Sequence, residues 1–176
     1  MKKLKFLFTA SRASHIENFH MPAINALRQN GHTVDTATEG YVKEGLVDHS
    51  YNLIFQKKIY SPRNIGTINQ LSKIIKSNSY DVIISNTTLA GVITRLTIPK
   101  LKKKPYHIYI CHGYLFNDDN SKKAKLYRRI EKSTSSKIDL LLTMNNDDLE
   151  IAKKYVFCKN IQYINCLLYT SDAADE

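Results

Sequence analysis

The side chains best suited to chemistry in this sequence are polar and follow apolar runs. They form three groups: His15, Asn18 and His20; Asn86 and Thr87; and His112 with Gly113. Imidazole, amide and hydroxyl groups exchange hydrogen bonds with sugar hydroxyls and with phosphates. The groups therefore predict a site for a sugar or a sugar phosphate. For each residue the alternative is a structural role, as a surface histidine or as a polar cap at the start of a helix.

The segments that must position these groups alternate between apolar runs and amphipathic stretches. Strands are predicted at residues 4–9, 32–38, 51–55, 81–86, 107–111, 139–144 and 161–164. Helices are predicted from about residue 18 to 31, from residue 61 onward, and at residues 89–101, 122–135 and 145–155. This alternation indicates an α/β fold, a Rossmann-like parallel sheet covered by helices on both faces. All three polar groups then lie at the carboxyl edge of the sheet, where such folds bind ligands.

Local signals give the expected helix boundaries. Residues 11–22 are predicted as a loop that feeds a helix capped by Asn18 or Glu17, with Pro22 in its first turn. Asn145 is predicted to cap the helix that follows the sixth strand. The helix after residue 61 should bury one apolar face, formed by Ile65, Ile68, Leu71, Ile74 and Ile75.

Several other chemistries are excluded by what the sequence lacks. The loop after the first strand contains no glycine, which argues against a dinucleotide site, and the Walker, HExxH and GxSxG motifs are absent. Cys111, Cys158 and Cys166 are too scattered for a disulfide framework or a CxxC metal pair. We therefore expect no metal site, no cofactor and a reducing, cytoplasmic compartment.

The charge balance points to an anionic partner. The chain carries 26 Lys and Arg against 16 Asp and Glu, a net charge of +10, which suits phosphate, nucleic acid or an acidic membrane face. No window approaches the roughly 20 apolar residues of a membrane span. Arg128 and Glu131 lie on a basic helix and are secondary site candidates, although Glu131 is also expected to balance Arg128 or Lys132 on that helix.

The last eleven residues, 166–176, break the pattern. Their sequence, CLLYTSDAADE, is acidic in a basic chain and resembles the conceptual translation of a sequencing-library adapter. We therefore expect a domain at residues 1–165 and an artefactual tail after it.

Four segments together resemble the N-terminal domain of bacterial family 4 glycosyltransferases, the GT-B group that builds capsular, exopolysaccharide and O-antigen chains. They are SHIENFHMP (family pattern close to SHxxNFHxP), SNTTLAGVITRL (close to HTPxxGxxxRL), ICHGYLF (close to TAHGFHF) and RRIEKSTSSKIDLLLTMNNDDLEIAKK (close to xxxEKxxxxxTDxLITxNxEDxxxAKK). Each motif is weak alone, and their order and spacing carry the resemblance, which covers residues 1–165.

The resemblance implies half of a two-domain enzyme that transfers a sugar with retention of anomeric configuration. The N-terminal domain would present the acceptor, while a C-terminal domain would hold the nucleotide-sugar, so this fragment alone should be inactive. His112 matches the His-Gly motif that contacts the donor sugar. His15 and its neighbours would line the acceptor side, and Gly91 would allow close approach at the fourth strand. Acceptor contacts depart from the family pattern at Ser85-Asn86 and at Tyr114-Leu115.

The implied partners are a sugar or polyprenyl-phosphate-linked acceptor, a nucleotide-sugar donor and the anionic inner face of the membrane, to which the basic residues would bind peripherally. Two alternatives stay open. One is a GT-B-type sugar-nucleotide epimerase, which shares the architecture. The other is a basic α/β module for nucleic acid, which is disfavoured because the chain has no RNP-like aromatic strand.

Overall fold

The computed structural model describes residues 2–116, 121–155 and 157–165. Seven parallel strands form one sheet in the order β3-β2-β1-β4-β5-β6-β7. The strands are β1 (Lys5–Ala10), β2 (Thr33–Thr38), β3 (His49–Asn52), β4 (Val82–Asn86), β5 (Tyr106–Cys111), β6 (Leu140–Thr143) and β7 (Ile161–Tyr163). The predicted Rossmann-like α/β fold is confirmed.

Helices connect the strands and cover the sheet. They are α1 (Ala13–Phe19), α2 (Met21–Gln29), α3 (Asn64–Asn78), α4 (Thr88–Thr97), α5 (Lys122–Thr134) and α6 (Asn146–Tyr155), with 3₁₀ turns at Ile98–Lys100 and Ser135–Lys137. The side chain of Asn145 accepts a hydrogen bond from the Asp148 N–H at 2.7 Å, which confirms the predicted cap of α6.

The two faces of the sheet are covered by different helices. Ile16 of α1 and Ile24 of α2 pack on Phe6 and Phe8 of β1, on one face. On the other face, α3 and α4 bury Leu7 and Ile83, and α5 and α6 bury Tyr109 and Leu141. The arrangement follows from right-handed crossovers, because connections that run in opposite directions along the sheet place their helices on opposite faces.

The coverage of the α1–α2 face is uneven. Ile84, Ile108 and Leu140 are aligned neighbours in the sheet register and are half-buried, as are Ile110 and Leu142. Side chains on the opposite face of the same strands are buried, for example Tyr109 and Leu141. The half of the sheet beyond β1 is therefore less covered on this face, which is the ordinary position for a further helix in a three-layer fold.

The first connection differs from its prediction. Residues predicted as a loop form helix α1, and neither Asn18 nor Glu17 caps the next helix, because both lie within α1. His20 precedes α2 instead, and Pro22 lies in its first turn as predicted. Ile16 is fully buried against the sheet, so tertiary packing stabilises a seven-residue helix that has no side-chain cap.

Two further boundaries are corrected. The third strand covers His49–Asn52 rather than residues 51–55, although Leu53 and Phe55 just beyond it are buried. Ile65 does not join the buried face of α3, since it lies in the first turn and is 57% exposed. Ile68, Leu71 and Ile75 are buried as predicted.

The predicted tail at residues 166–176 falls outside the described residues, as do residues 117–120. Within the described part of the chain, no helix combines the length and apolar character needed to cross a bilayer.

Candidate functional site

The candidate site lies where the strand order reverses. β1 is followed by α1 on one face of the sheet, whereas its neighbour β4 is followed by α4 on the other face. The two connections diverge and leave a crevice at the carboxyl ends of β1, β4 and β5. In open parallel sheets this crevice is the preferred place for a ligand.

Three histidines from two of these loops meet at the crevice. The ring centroids of His15 and His112 are 4.4 Å apart in an edge-to-face arrangement, and His20 lies 5.3 Å from each of them. One ring nitrogen of each residue lies within 4.8 Å of the others. The structure thus brings together three of the residues that the sequence singled out.

The break between α1 and α2 explains how His15 and His20 come together. In one continuous helix, residues five positions apart point about 140° away from each other. Here α1 ends at Phe19 and α2 begins at Met21, with His20 at the junction. The chain changes direction at His20, whose side chain is only 5% exposed and lies against Phe8 of the core.

The surroundings of the cluster favour neutral imidazoles. Burial lowers the pKa of His15. Burial, and then the proximity of His112 and His15, lowers the pKa of His20 to about 3. Burial and the neighbouring His15 lower the pKa of His112 to about 4. At neutral pH each ring therefore has one nitrogen free to accept a hydrogen bond or to bind a ligand.

The end of β4 holds the neighbouring loops in place. Asn86 is fully buried, and its amide donates to the carbonyl of Thr9 at 3.3 Å. The hydroxyl of Thr87 accepts from the Ser11 N–H, and that of Thr88 donates to the Gly113 carbonyl, both at 3.3 Å. Asn86 and Thr87 thus hold the start of the first loop, and Thr88 holds the loop that carries His112. The Asn86 Oδ1 is buried without a partner among the described residues.

Thr87 has an unusual backbone conformation, with a φ of 68°. A β-branched residue at positive φ costs on the order of 1–3 kcal/mol and is found where the surrounding structure enforces it. At this position the strain accompanies the turn from β4 into α4, next to the crevice.

The loop that carries His112 is fixed from both ends. Gly113 has a φ of 129°, a conformation that disfavours side chains. One residue later, the Tyr114 N–H donates to the Asp148 carboxylate at 3.1 Å, and Asp148 also bonds the amide of Asn145. The sequence does not show this support for the His112 loop, because it depends on a contact between residues that are far apart in the chain.

Two predicted site residues lie apart from the cluster. Asn18 is exposed on α1. Gly91 is buried in α4, and a Cβ placed there would lie 2.7 Å from the Tyr109 ring. The close approach that Gly91 allows is therefore to a core aromatic ring.

Ser85 near the end of β4 is hydrogen-bonded to His107. The Nδ1 of His107 lies 2.8 Å from the Lys137 carbonyl, which can only accept, so Nδ1 carries the proton. The Nε2 of His107 then accepts from the Ser85 hydroxyl at 2.7 Å. Both side chains are fully buried, so this pair is structural.

The secondary candidates on α5 have different environments. Glu131 is buried and binds Arg95 of α4, so the prediction that it balances Arg128 or Lys132 is wrong. Arg128 lies over the rings of Phe116 and Tyr155, with its guanidinium carbon 5.9 and 5.3 Å from their centroids. It lines a basic groove formed by Lys125, Arg128, Arg129, Lys132, Lys154, Tyr155 and Phe157.

The family assignment comes from the sequence itself. The sequence model of Glycosyltransferase Family 4 matches residues 23–168. The chain belongs to this family. The match includes the β4 and β5 loops with Asn86, Thr87, Gly91, His112 and Gly113, whereas the first loop precedes it.

Individual relatives agree with this family 4 assignment. The chain is 30% identical to the Bacillus subtilis (strain 168) protein named "Putative glycosyltransferase EpsD" over 151 residues, a stretch that covers 85% of the chain and 40% of that protein.

Solved structures share the fold. A glycosyltransferase from Rickettsia africae has a TM-score of 0.64 at 17% identity, over 94% of this chain and 43% of its own. The UDP-GlcNAc 2-epimerase from Neisseria meningitidis has a TM-score of 0.62 at 14% identity, over 92% of this chain and 45% of its own. This family 4 domain therefore spans less than half the length of these relatives.

Proposed function

We propose that this domain is the acceptor-binding half of a retaining glycosyltransferase of surface-polysaccharide biosynthesis, and that the full-length enzyme transfers a sugar from a nucleotide-sugar to a lipid-linked or oligosaccharide acceptor. The observation that carries the proposal is the placement of His112 beside His15 in the crevice between β1, β4 and β5, in a chain of family 4. A sugar bound there would contact side chains from both loops.

His112 would position the sugar and stabilise charge. As a neutral imidazole it can exchange a hydrogen bond with a hydroxyl and does not repel the positive charge that develops at the anomeric carbon. His15, which is half-buried, and the exposed Asn18 would meet the acceptor from α1. Asn86 and Thr87 would act mainly by holding the first loop, and Gly113 by anchoring the His112 loop through its carbonyl, which accepts from Thr88.

The test uses the full-length enzyme with a panel of nucleotide-sugars and a polyprenyl-phosphate-linked acceptor. We expect His112→Ala to lower turnover by about 10²-fold or more with an unchanged unfolding transition. His49→Ala is the matched control, because the His49 side chain is 66% exposed on the edge strand β3, and it should retain full turnover. An unchanged turnover rate in the His112→Ala variant would show that His112 has only a structural role.

Product analysis separates the transferase from the epimerase. A retaining transferase gives a glycosidic product with the donor's anomeric configuration, which NMR of the product determines. Conversion of a nucleotide-sugar into its epimer without any acceptor would instead support the epimerase alternative. The 176-residue chain alone should turn over neither substrate, and turnover by it would contradict the division of roles between two domains.

The basic groove on α5 supports a second element of the proposal, peripheral binding to an anionic membrane. Lys125 and Arg129 are both exposed there, and each basic residue near such a surface contributes about 1 kcal/mol. We expect the protein to sediment with vesicles containing phosphatidylglycerol at low salt, and Lys125→Glu with Arg129→Glu to abolish this. Lys57→Glu with Lys73→Glu, on exposed sites elsewhere, is the control. Wild-type protein that stays in solution would refute membrane binding while leaving the transferase proposal intact.

A further inference from the structure

The histidine cluster leaves three buried polar atoms without partners. Among the described residues, the Nε2 atoms of His15, His20 and His112 are all inaccessible to solvent and none has a hydrogen bond. A buried polar atom without a partner costs about 1–3 kcal/mol. Three such atoms in one cluster are unusual in a folded protein and call for a shared partner.

The chemistry of the donors narrows the choice of partner. A metal ion binds the unprotonated nitrogen of an imidazole, and each of the three rings has an Nε2 without a hydrogen bond among the described residues. Aromatic rings surround the cluster: Phe19 lies 5.0 Å from His15, and Phe8 lies 6.0 Å from His20. A buried water bonded to the three nitrogens is the alternative partner, and the metal titration distinguishes it from an ion.

The positions of the nitrogens fit a common ion. One ring nitrogen of each histidine lies within 4.8 Å of the others. Zinc bound tetrahedrally at about 2.0–2.1 Å from each nitrogen would bring them to about 3.4 Å from one another. Small changes in the side-chain torsions of the three histidines would supply the difference.

We propose that His15, His20 and His112 form a binding site for one divalent transition-metal ion of the zinc class. Imidazole ligands suit Zn²⁺, Co²⁺, Ni²⁺ and Cu²⁺, and do not suit Mg²⁺ or Ca²⁺. Three protein ligands leave a fourth position, and His15 and His112 are only half-buried. That position can take an oxygen from water, a hydroxyl or a phosphate.

The proposal does not rest on the transferase function. The ion would bind His112, the residue that is proposed above to contact a sugar. Metal binding by this imidazole and its direct contact with a sugar are therefore tested separately. Metal binding is measured on the 176-residue chain without substrates, and its failure leaves the turnover experiment unaffected.

The experiment is a titration of chelator-treated protein with Zn²⁺ followed by calorimetry, and with Co²⁺ followed by visible absorption. We expect one ion per chain and the intense absorption of tetrahedral Co²⁺. Each of His15→Ala, His20→Ala and His112→Ala should weaken binding by at least about 100-fold, because even loss of a group that only orients a ligand costs about 10–100-fold. His49→Ala, which removes a histidine outside the cluster, should bind as tightly as wild type.

Two further measurements keep the outcome clear. Conservative His→Gln variants of the three residues preserve side-chain size and polarity. A variant that keeps the native circular dichroism spectrum but loses the Co²⁺ absorption has lost a metal ligand and is still folded. Cys111→Ala, Cys158→Ser and Cys166→Ser should each leave binding unchanged, which excludes thiolate ligands. No saturable Zn²⁺ binding by the wild-type chain, or binding that persists within about threefold in two of the three histidine variants, would overturn the proposal.

Discussion

Arg95 and Glu131 form an ion pair out of contact with solvent, joining α4 to α5. The guanidinium Nη2 lies 2.7 Å from the carboxylate Oε2, and the side chains are 0% and 3% exposed. Arg95 also donates to the Thr134 hydroxyl at 2.9 Å and lies over the Tyr109 ring, 4.7 Å from its centroid. The pair thus anchors two helices to β5, the strand that ends just before His112.

Breaking this pair from one side should destabilise the domain strongly. In Glu131→Gln the buried charge of Arg95 loses its counter-ion, and we expect a loss of about 3–5 kcal/mol in the free energy of unfolding. The double variant Arg95→Met with Glu131→Leu should be more stable than the single one, because it leaves no buried charge. Urea unfolding measures both, and Glu150→Ala, in the exposed pair with Lys153, should change stability by less than about 1 kcal/mol.

Gly91 should not tolerate a methyl group. In Gly91→Ala the new Cβ would lie 2.7 Å from the Tyr109 ring, so the ring or α4 must shift, at a cost of about 1–3 kcal/mol. Gly66 is the matched control, an exposed glycine in α3 where a Cβ would meet nothing within 4 Å. Gly66→Ala should stabilise the domain by about 0.5–1 kcal/mol, because alanine favours helix. Equal effects of the two changes in thermal unfolding would contradict the packing argument.

Asp148 is predicted to act as a positioning residue. Asp148→Ala removes the acceptor for the Tyr114 N–H and the bond to Asn145, at a cost of about 1–2 kcal/mol. In the full-length enzyme it should also lower kcat at near-constant KM and shift the NMR signals of the His112 ring. Asp147→Ala, on the exposed neighbouring position, should leave both unchanged. If Asp148→Ala lowers the stability but leaves the NMR signals of His112 and kcat unchanged, Asp148 acts only as part of the cap of α6.

His107 should make the fold sensitive to acid. Burial, with a smaller contribution from Arg95, lowers its pKa from 6.5 to about 3, although the bond to the Lys137 carbonyl acts in the opposite direction. Between these values the unfolded chain binds a proton that the folded chain does not, so stability falls as the pH drops below about 6.5. The slope from this residue approaches about 1.4 kcal/mol per pH unit. Urea unfolding from about pH 7 to about pH 4 should show a shallower dependence for His107→Gln, and equal slopes would refute the assignment.

The fold was largely predictable because its signals are local. The runs at β4, β5 and β6 are rich in apolar residues, several of them β-branched in β4 and β5, as is typical of strands inside a parallel sheet. Asn145 with Asp148 marks the start of α6 through neighbouring backbone groups. Helix α1 was missed, because it lacks a side-chain cap and forms through the burial of Ile16 against a sheet that the local sequence cannot show.

For the candidate site, the sequence by itself determined that the polar residues that follow the strands lie at the same edge of a parallel sheet. The tertiary structure alone decided their arrangement. In one continuous helix the side chains of His15 and His20 would point away from each other, and they meet because the helix is interrupted at His20. His112 contacts them from the loop after β5, which is far away in the sequence. The tertiary structure also decided that Glu131 pairs with Arg95. Which charged residues pair in the core depends on which helices pack together and not on the spacing of residues along one helix.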